Sequence, residues 1–506
     1  MLWRFGVQST LTLFFRIFLL ALLCSLKIAL AAEPALPYVD AEIDPAKSFW
    51  NDHVHYPFPH QYAQVKDKQG RSWEIAYADL FRGEAAQRAK APVLVLLHGR
   101  GMNSGYWGQL MERPLAADWR VIAIDWSNSG KSLPRNLDRP VTRSLEDSRH
   151  LVHDLVVRHL GVAKASYLGH SLGGQLAAGY ALLFPENVER LVLYAPGGLE
   201  SLPAIEQNGF RYDDPTLEKR PEVFLKAWQE GKLLSIGDTR EAIEKSFYVS
   251  PRPGAMAYLQ RGDKLNEFMV ASRAAVLQGN PRERERFQQN YAWETVASLS
   301  ECRIEDQEAL PSRIPKLKVP TLLALGELDP IILPNNAEHV YGSARRTQSP
   351  IQIKIYEKGG HFIHTDLPEA FSREVLDFLT TGKVAEPVYQ GIKAPERTPL
   401  ANLPPEVLRF KQRAEAAYAK QDIEEIKRAI YHPDYRRDGQ TLKEHLDTFA
   451  AYVPMITQWQ MLIYSVEREG DLFVLDVEVK TSLGNVKNKV WLKELNGEWL
   501  SYGNQK

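Results

Sequence analysis

Short continuous apolar runs and helical apolar stripes alternate along most of this chain. The runs at residues 92–97, 120–125, 166–169, 190–194, 321–325 and 352–356 predict strands buried on both faces. Between them, Val152, Leu155, Val156 and Leu160 form one helical face behind a Ser144 N-cap. Residues 172–184 predict a helix rich in small side chains and stopped by Pro185. Residues 366–379 predict an amphipathic helix with Phe371, Val375, Phe378 and Leu379 on one side. Repeated strand–helix units of this kind imply an α/β fold, a doubly wound and mostly parallel sheet with helices on both faces. Two further runs, 61–66 and 72–80, read as strands joined through a Gln69-Gly70 turn.

The rhythm breaks twice. Residues from about 198 to 314 are charged and helical in pattern, with no clear strand, and read as a cap inserted between two sheet strands. Residues 382–405 carry Gly382, Pro387, Gly391, Pro395, Pro399, Pro404 and Pro405 without apolar period, the composition of a linker. Beyond it the pattern changes class. Val407, Phe410, Ala414 and Tyr418 mark a helix, and Phe473, Leu475, Val477 and Val479 alternate as in a half-buried strand. Strands at 459–466, 472–480, 486–494 and 498–502 predict an antiparallel meander after helices, a small α+β domain. The expected organisation is an α/β domain over 61–381 preceded by an arm at 32–60, a linker at 382–405, and a second domain over 406–506.

Composition changes the picture at the N-terminus. Arg4 and Arg16 precede an apolar run from Ile17 to Leu26, and Ala29-Leu30-Ala31 supplies a small-x-small cleavage pattern, so residues 1–31 read as a secretory signal peptide. The run is shorter than a spanning helix needs and Lys27 interrupts it, which ranks an uncleaved anchor second. The expected localisation is secreted or periplasmic. Of the two cysteines, Cys24 leaves with the signal, and Cys302 alone forms no internal disulfide and has no activating context. The formal net charge of −1 gives no reason to expect nucleic acid or an acidic membrane as partner. No metal-ligand spacing occurs and no cofactor is expected.

The strongest chemical signal is Gly169-His170-Ser171-Leu172-Gly173, placed where a predicted strand meets a helix. A serine at such a turn projects its hydroxyl from the carboxyl edge of the sheet beside a helix N-terminus, where developing negative charge is favoured. Ser171 is therefore the candidate nucleophile. It needs a base, and His361 follows the last apolar run in Gly359-Gly360-His361-Phe362. The rival His364 lies in what reads as a helix start, with Asp366 as N-cap and Glu369 completing a capping box. Asp329, after a buried strand and before Pro330, is the acid that would orient His361; Glu327 and Glu200 are weaker candidates. The oxyanion needs two donors. One is the Leu172 amide; the other is the Arg100 amide, with Gly101 second, in the loop His98-Gly99-Arg100-Gly101-Met102. His98 reads as a structural hydrogen-bonder and Trp107 as packing for that loop.

These residues carry a resemblance. His98-Gly99 with a following Trp, Ile124-Asp125 with Gly130-Lys131-Ser132, Gly169 to Gly174, Pro320 to Asp329, and Gly360-His361-Phe362 with Pro368-Glu369 together resemble the α/β-hydrolase superfamily over roughly residues 60–380. The resemblance implies a serine hydrolase close to esterases, lactonases and C–C bond hydrolases whose cap follows the sixth strand, cleaving an ester or lactone of a small molecule with an apolar acyl part through an acyl-enzyme, with C–C bond or amide hydrolysis by the same triad as the alternative. A ligand-binding protein on the same scaffold is the alternative of a different class. The family's Asp-x-x-Gly-x-Gly-x-Ser stands here as Asp125-Trp126-Ser127-Asn128-Ser129-Gly130-Lys131-Ser132, a departure expected to fall on the rim of the site. Cap aromatics Phe224, Trp228, Phe247, Tyr248, Tyr258 and Phe268 suggest an apolar pocket, although their helical spacing also suits core. The C-terminal domain resembles the NTF2-like (SnoaL-like) fold, which implies a cone whose mouth can hold a ligand, or homodimer pairing through its sheet. His432, Asp434 and Asp438 would line that mouth or form a helix-to-strand loop.

Overall fold

Branched and aliphatic runs without polar interruption bury both faces of a strand, and the central strands here do so. The computed structural model describes residues 50–51, 54–132, 144–202, 206–207, 209–214, 216–233, 280–303, 306–329, 331–391, 398–437, 440–482 and 484–503. The expected signal segment 1–31 and most of the arm lie outside them. The α/β domain contains β1 (Gln61–Lys66), β2 (Ser72–Leu80), β3 (Val93–Leu97), β4 (Arg120–Asp125), β5 (Ala165–His170) and β6 (Val188–Tyr194). A short hairpin follows, β7 (Glu206–Gln207) and β8 (Phe210–Arg211), and then β9 (Thr321–Gly326) and β10 (Ile351–Tyr356). The hairpin corrects the expectation of a cap without strands; two residues per strand are too few to leave a period in the sequence.

The main sheet has the order β1-β2-β4-β3-β5-β6-β9-β10, antiparallel at its first two pairings and parallel beyond. After β3 the chain steps outward to β4 and then returns to place β5 on the other side of β3. This reversal opens a crevice at the carboxyl ends of β3 and β5, where open α/β sheets take their ligands. Helices Leu145–His153, Leu172–Leu183 and Pro368–Thr381 flank the sheet. Ser144 caps the first of these through the Asp147 amide, as expected. The last buries Phe371, Val375, Phe378 and Leu379.

The expected capping box at its start does not form. The N-cap residue is Leu367, which makes no side-chain cap bond. Asp366 ends a preceding one-turn helix and accepts instead from the Gly360 amide (2.7 Å), while Glu369 pairs with Arg113. A carboxylate near a loop amide and a distant guanidinium gains more there than from a helix start that Pro368 already pre-organises.

The linker is not a free tether over its first half. Val384 and Tyr389 pack on the main core, and the Tyr389 amide donates to Ile353 O (2.8 Å) on the edge strand β10. An edge strand presents unpaired carbonyls, and this segment covers one of them.

The C-terminal region combines helices Pro405–Ala419, Ile423–Ile430 and Leu442–Phe449 with β11 (Tyr431–Arg437), β12 (Gln440–Thr441), β13 (Trp459–Glu469), β14 (Leu472–Thr481), β15 (Gly484–Leu495) and β16 (Glu498–Gly503). The sheet order is β12-β11-β16-β15-β14-β13, with β11 parallel to β16. The meander is as expected, but His432 and Asp434 lie on a strand, not in a loop; Pro433 and the flanking charges hide its alternation. Asp438 lies outside the described residues. Among the described residues this core, which includes Val407, Phe410, Leu475 and Leu492, shares no member with the core of the main sheet.

Candidate active site

β5 ends at His170, and the next residue turns the chain sharply into the helix Leu172–Leu183. Ser171 has φ 55° and ψ −122°, a backbone that a non-glycine residue adopts only when its surroundings impose it. Those surroundings are visible. Ser171 N–H donates to Tyr194 O (3.0 Å), and Ser171 O accepts from the amides of Gly174, Gln175 and Gly197. The glycines on either side are obligatory for space. A Cβ on Gly169 would lie 2.2 Å from Gly173 O, and one on Gly173 would lie 2.2 Å from Leu97 O. Ser171 itself remains partly exposed. The Leu172 amide opens the helix, with no carbonyl one turn earlier to receive it.

His361 and Asp329 come together from loops after β10 and β9. His361 Nδ1 lies 2.9 Å from Asp329 Oδ2, and both side chains are buried. Asp329 Oδ1 accepts from the amides of Ile331 (2.8 Å) and Ile332 (2.9 Å). The carboxylate is thus fixed from both sides, and it favours the tautomer that leaves His361 Nε2 able to accept a proton. His170 joins this pair to Ser171: its Nε2 lies 2.8 Å from His361 O, and the two imidazole centroids are 4.7 Å apart.

The rivals are engaged elsewhere. His364 is buried, with Nδ1 2.9 Å from Tyr194 OH, and burial pulls its pKa down to about 3. Glu327 accepts from the Lys358 amide, and Glu200 from Asn336 Nδ2. His98 is fully buried between Gly99 O and Ser129 Oγ, and burial lowers it to about 4. Trp107 is fully buried and stacks on Tyr106, whose hydroxyl accepts from the Gly99 amide. His98 and Trp107 therefore hold the loop, as expected of them.

One of the two donors proposed from that loop is excluded. The Gly101 amide donates to Glu294 Oε2 (2.9 Å), so it is committed to the cap. Arg100 remains, and its side chain is anchored on the same cap helix, Pro281–Ser300: Nη1 donates to Thr295 Oγ1 (2.8 Å) and the guanidinium lies 4.9 Å from the Tyr291 ring centroid.

The cap helix supplies the residues that sequence reasoning missed. Glu283 accepts from the Trp50 amide of the arm. Ser298 Oγ donates to Gln175 Oε1, and Glu301 takes a bidentate pair from the buried Arg149 (2.6 and 2.8 Å), so the far end is tied to the helix that follows Ser171. A signal existed. Glu283, Phe287, Asn290, Glu294, Ala297 and Glu301 recur at spacings of four and three, one stripe of a helix whose polar members resemble a solvated face until its partners are known. Of the cap aromatics, Phe224 is core, edge-on to Trp293, and Trp228 packs against the same cluster. Phe247, Tyr248, Tyr258 and Phe268 lie outside the described residues. Among the described residues, no group of His, Cys, Asp and Glu could hold a metal ion.

A serine at a strained turn, a His–Asp pair in contact with the residue before it, and a glycine loop packed against the serine accompany a family model, described as the alpha/beta hydrolase fold, that matches residues 92–368. The chain belongs to that family. Among its relatives, a 2-hydroxy-6-oxo-6-phenylhexa-2,4-dienoate hydrolase of Burkholderia cepacia is 23% identical over 329 residues, covering 64% of this chain and 96% of that protein. A putative 2-succinyl-6-hydroxy-2,4-cyclohexadiene-1-carboxylate synthase of Bacillus subtilis is 26% identical over 313 residues, covering 61% and 96%. Among solved structures, an esterase from Exiguobacterium antarcticum matches with a TM-score of 0.43 at 18% identity, covering 63% of this chain and 100% of that one.

In this hydrolase the departure at Asp125 to Ser132 is not on the rim. Residues 127–132 are all buried, and Asn128, where the family has glycine, takes φ 59°. Asparagine tolerates the left-handed region better than other side chains, so the turn survives the exchange. Asp125 organises it, accepting from the amides of Ser104 (2.6 Å) and Lys131 (2.7 Å) and from Tyr56 OH (2.9 Å).

Proposed function

We infer that the protein is a serine hydrolase that cleaves a carboxylic ester or lactone through an acyl-enzyme. Ser171 Oγ attacks the carbonyl while His361 Nε2 takes its proton. Asp329 holds the imidazole and balances the imidazolium that forms. The Leu172 and Arg100 amides receive the oxyanion. Collapse of the tetrahedral intermediate forms the acyl-enzyme; His361 returns the proton to the leaving group and then activates water. The observation that carries this reading is the His361–Asp329 contact at 2.9 Å, beside a serine held at positive φ.

The test is Ser171→Ala on a panel of aryl esters, lactones and amides of graded chain length, with fluorophosphonate labelling of the wild type. Loss of turnover in the variant and labelling at Ser171 support the reading. Retained turnover overturns Ser171 as the nucleophile; folded protein that neither turns over the panel nor takes the probe overturns the enzyme reading and favours a non-catalytic binder on this scaffold. A second reading is cleavage of a carbon–carbon bond beside a carbonyl. The relatives named as hydrolases of 2-hydroxy-6-oxo-dienoates favour it, and a vinylogous diketone in the same panel separates the two.

Export with cleavage between Ala31 and Ala32 belongs to this proposal and is checked by sequencing the N-terminus of the mature protein. So does an NTF2-like C-terminal domain, which the three helices and the β12-β11-β16-β15-β14-β13 sheet support. A homodimer formed through that domain is read from its sedimentation.

A further inference from the structure

We propose that Glu294, on the cap helix, is a positioning residue that aims the oxyanion loop through the Gly101 amide. The inference rests on the Ser171 reading above.

The loop bends through a tight turn. The Met102 amide donates to Gly99 O (3.2 Å), and Gly101, third residue of the turn, has φ 63°. Positive φ at that position is the type II arrangement, in which the middle peptide, between Arg100 and Gly101, is flipped relative to type I. The two forms differ chiefly in the direction of the Gly101 N–H, so an acceptor fixed in front of that N–H selects one of them. Glu294 Oε2 is that acceptor, at 2.9 Å. The carboxylate is itself held: Asn290 Nδ2, one helical turn earlier and also buried, donates to Oε1 (2.8 Å). The next residue, Thr295, anchors the Arg100 guanidinium. Arg100 is therefore held at its side chain and at the peptide that follows it, which together fix the Cα that carries its own N–H. The loop also lies against the serine: a Cβ on Gly99 would sit 3.1 Å from Ser171 Cβ. Without the Glu294 anchor the Cα of Arg100 shifts, and the donor on its nitrogen shifts with it, at a site where small displacements matter.

Burial makes a purely structural role an uneconomical explanation. Glu294 is 1% exposed. A carboxylate taken out of water costs several kcal/mol unless its oxygens are satisfied, and an apolar residue of equal size would suit a cap helix as well. One of its two oxygens meets the backbone of the oxyanion loop.

The experiment compares Glu294→Met and Glu294→Gln in the full chain, on the aryl ester that the wild type turns over fastest. Methionine fills the volume without an amide acceptor, whereas glutamine keeps an oxygen. The readouts are kcat, KM, and the inhibition constant of an aryl boronic acid, which forms a tetrahedral adduct needing the same donors. The expected result is a fall in kcat of about 30-fold in Glu294→Met with KM little changed, smaller than the loss of a whole oxyanion donor. The boronate should weaken in proportion, and Glu294→Gln should recover most of the lost kcat. A Glu294→Met variant with kcat within about three-fold of wild type, while Ser171→Ala is dead, overturns this inference alone. Equal losses in both variants, matched by equal losses of thermal stability, also overturn it. Turnover that survives Ser171→Ala overturns the Ser171 reading and this inference with it.

Discussion

His170 Nε2 contacts the main-chain oxygen of His361 at 2.8 Å, so the residue before the candidate nucleophile fixes the backbone of the candidate base. The bond spans 191 positions of sequence and joins the end of β5 to the loop after β10. It uses a histidine that burial and the neighbouring imidazoles keep neutral, well below its ordinary pKa.

The acid should be needed for its charge and not its shape. Asp329→Asn places an amide nitrogen either against His361 Nδ1 or against the amides of Ile331 and Ile332, which all donate to the carboxylate now. The wrong tautomer follows, and kcat should fall on the order of 10⁴-fold with the fold retained. Steady-state kinetics beside a circular dichroism melt would check it.

The cap anchor should carry stability. Gly179, on the helix after Ser171, leaves the space that the Arg149 guanidinium occupies; a Cβ there would lie 2.1 Å from its central carbon. Gly179→Ala should expel Arg149 from its bidentate pair with Glu301 and cost about 3 kcal/mol, the scale for overpacking combined with a broken buried ion pair. Glu301→Ala should cost a similar amount, and the double variant less than the sum, because both break one interaction. Urea unfolding of the three variants measures this.

Stability should fall with pH below neutrality. Burial holds His98 at about 4 and His364 at about 3, against 6.5 for an ordinary histidine. Between pH 6.5 and about 4 the unfolded chain binds protons that the folded one refuses, so stability falls as pH falls, by up to about 1.4 kcal/mol per pH unit for each such residue. Above pH 6.5 these groups are neutral in both states and contribute no slope. A urea midpoint that stays flat from pH 6.5 to 4.5 would contradict the burial of these rings.

The two cores should be separable. Since the described core of the main sheet and that of the C-terminal region share no residue, a chain ending at Gly391 keeps the segment that covers β10 and should turn over esters within about three-fold of the full chain. Loss of folding in the shortened chain would show that the C-terminal domain supports the hydrolase.

The sequence by itself determined whatever is local. Apolar runs placed β3, β4, β5, β6, β9 and β10 to within a residue or two, because the central strands bury both faces over most of their length; the edge strand β10 keeps Gln352 and Lys354 among its isoleucines. The turn at Ser171 was legible because close approach demands glycine at 169 and 173, and the His361 loop because it follows a buried strand. Tertiary structure decided what depends on which faces meet. Asp366 reads as a helix cap, yet it holds the Gly360 amide. His432 and Asp434 read as part of a helix-to-strand loop or of a ligand mouth, yet they lie on β11, whose partner strand lies more than sixty residues on. Glu294 is one charge among many in the charged, helical pattern of the cap. It is buried against Gly101 because the insertion between β6 and β9 lays its helix Pro281–Ser300 on the loop after β3, and no local pattern records which amide a distant carboxylate will find.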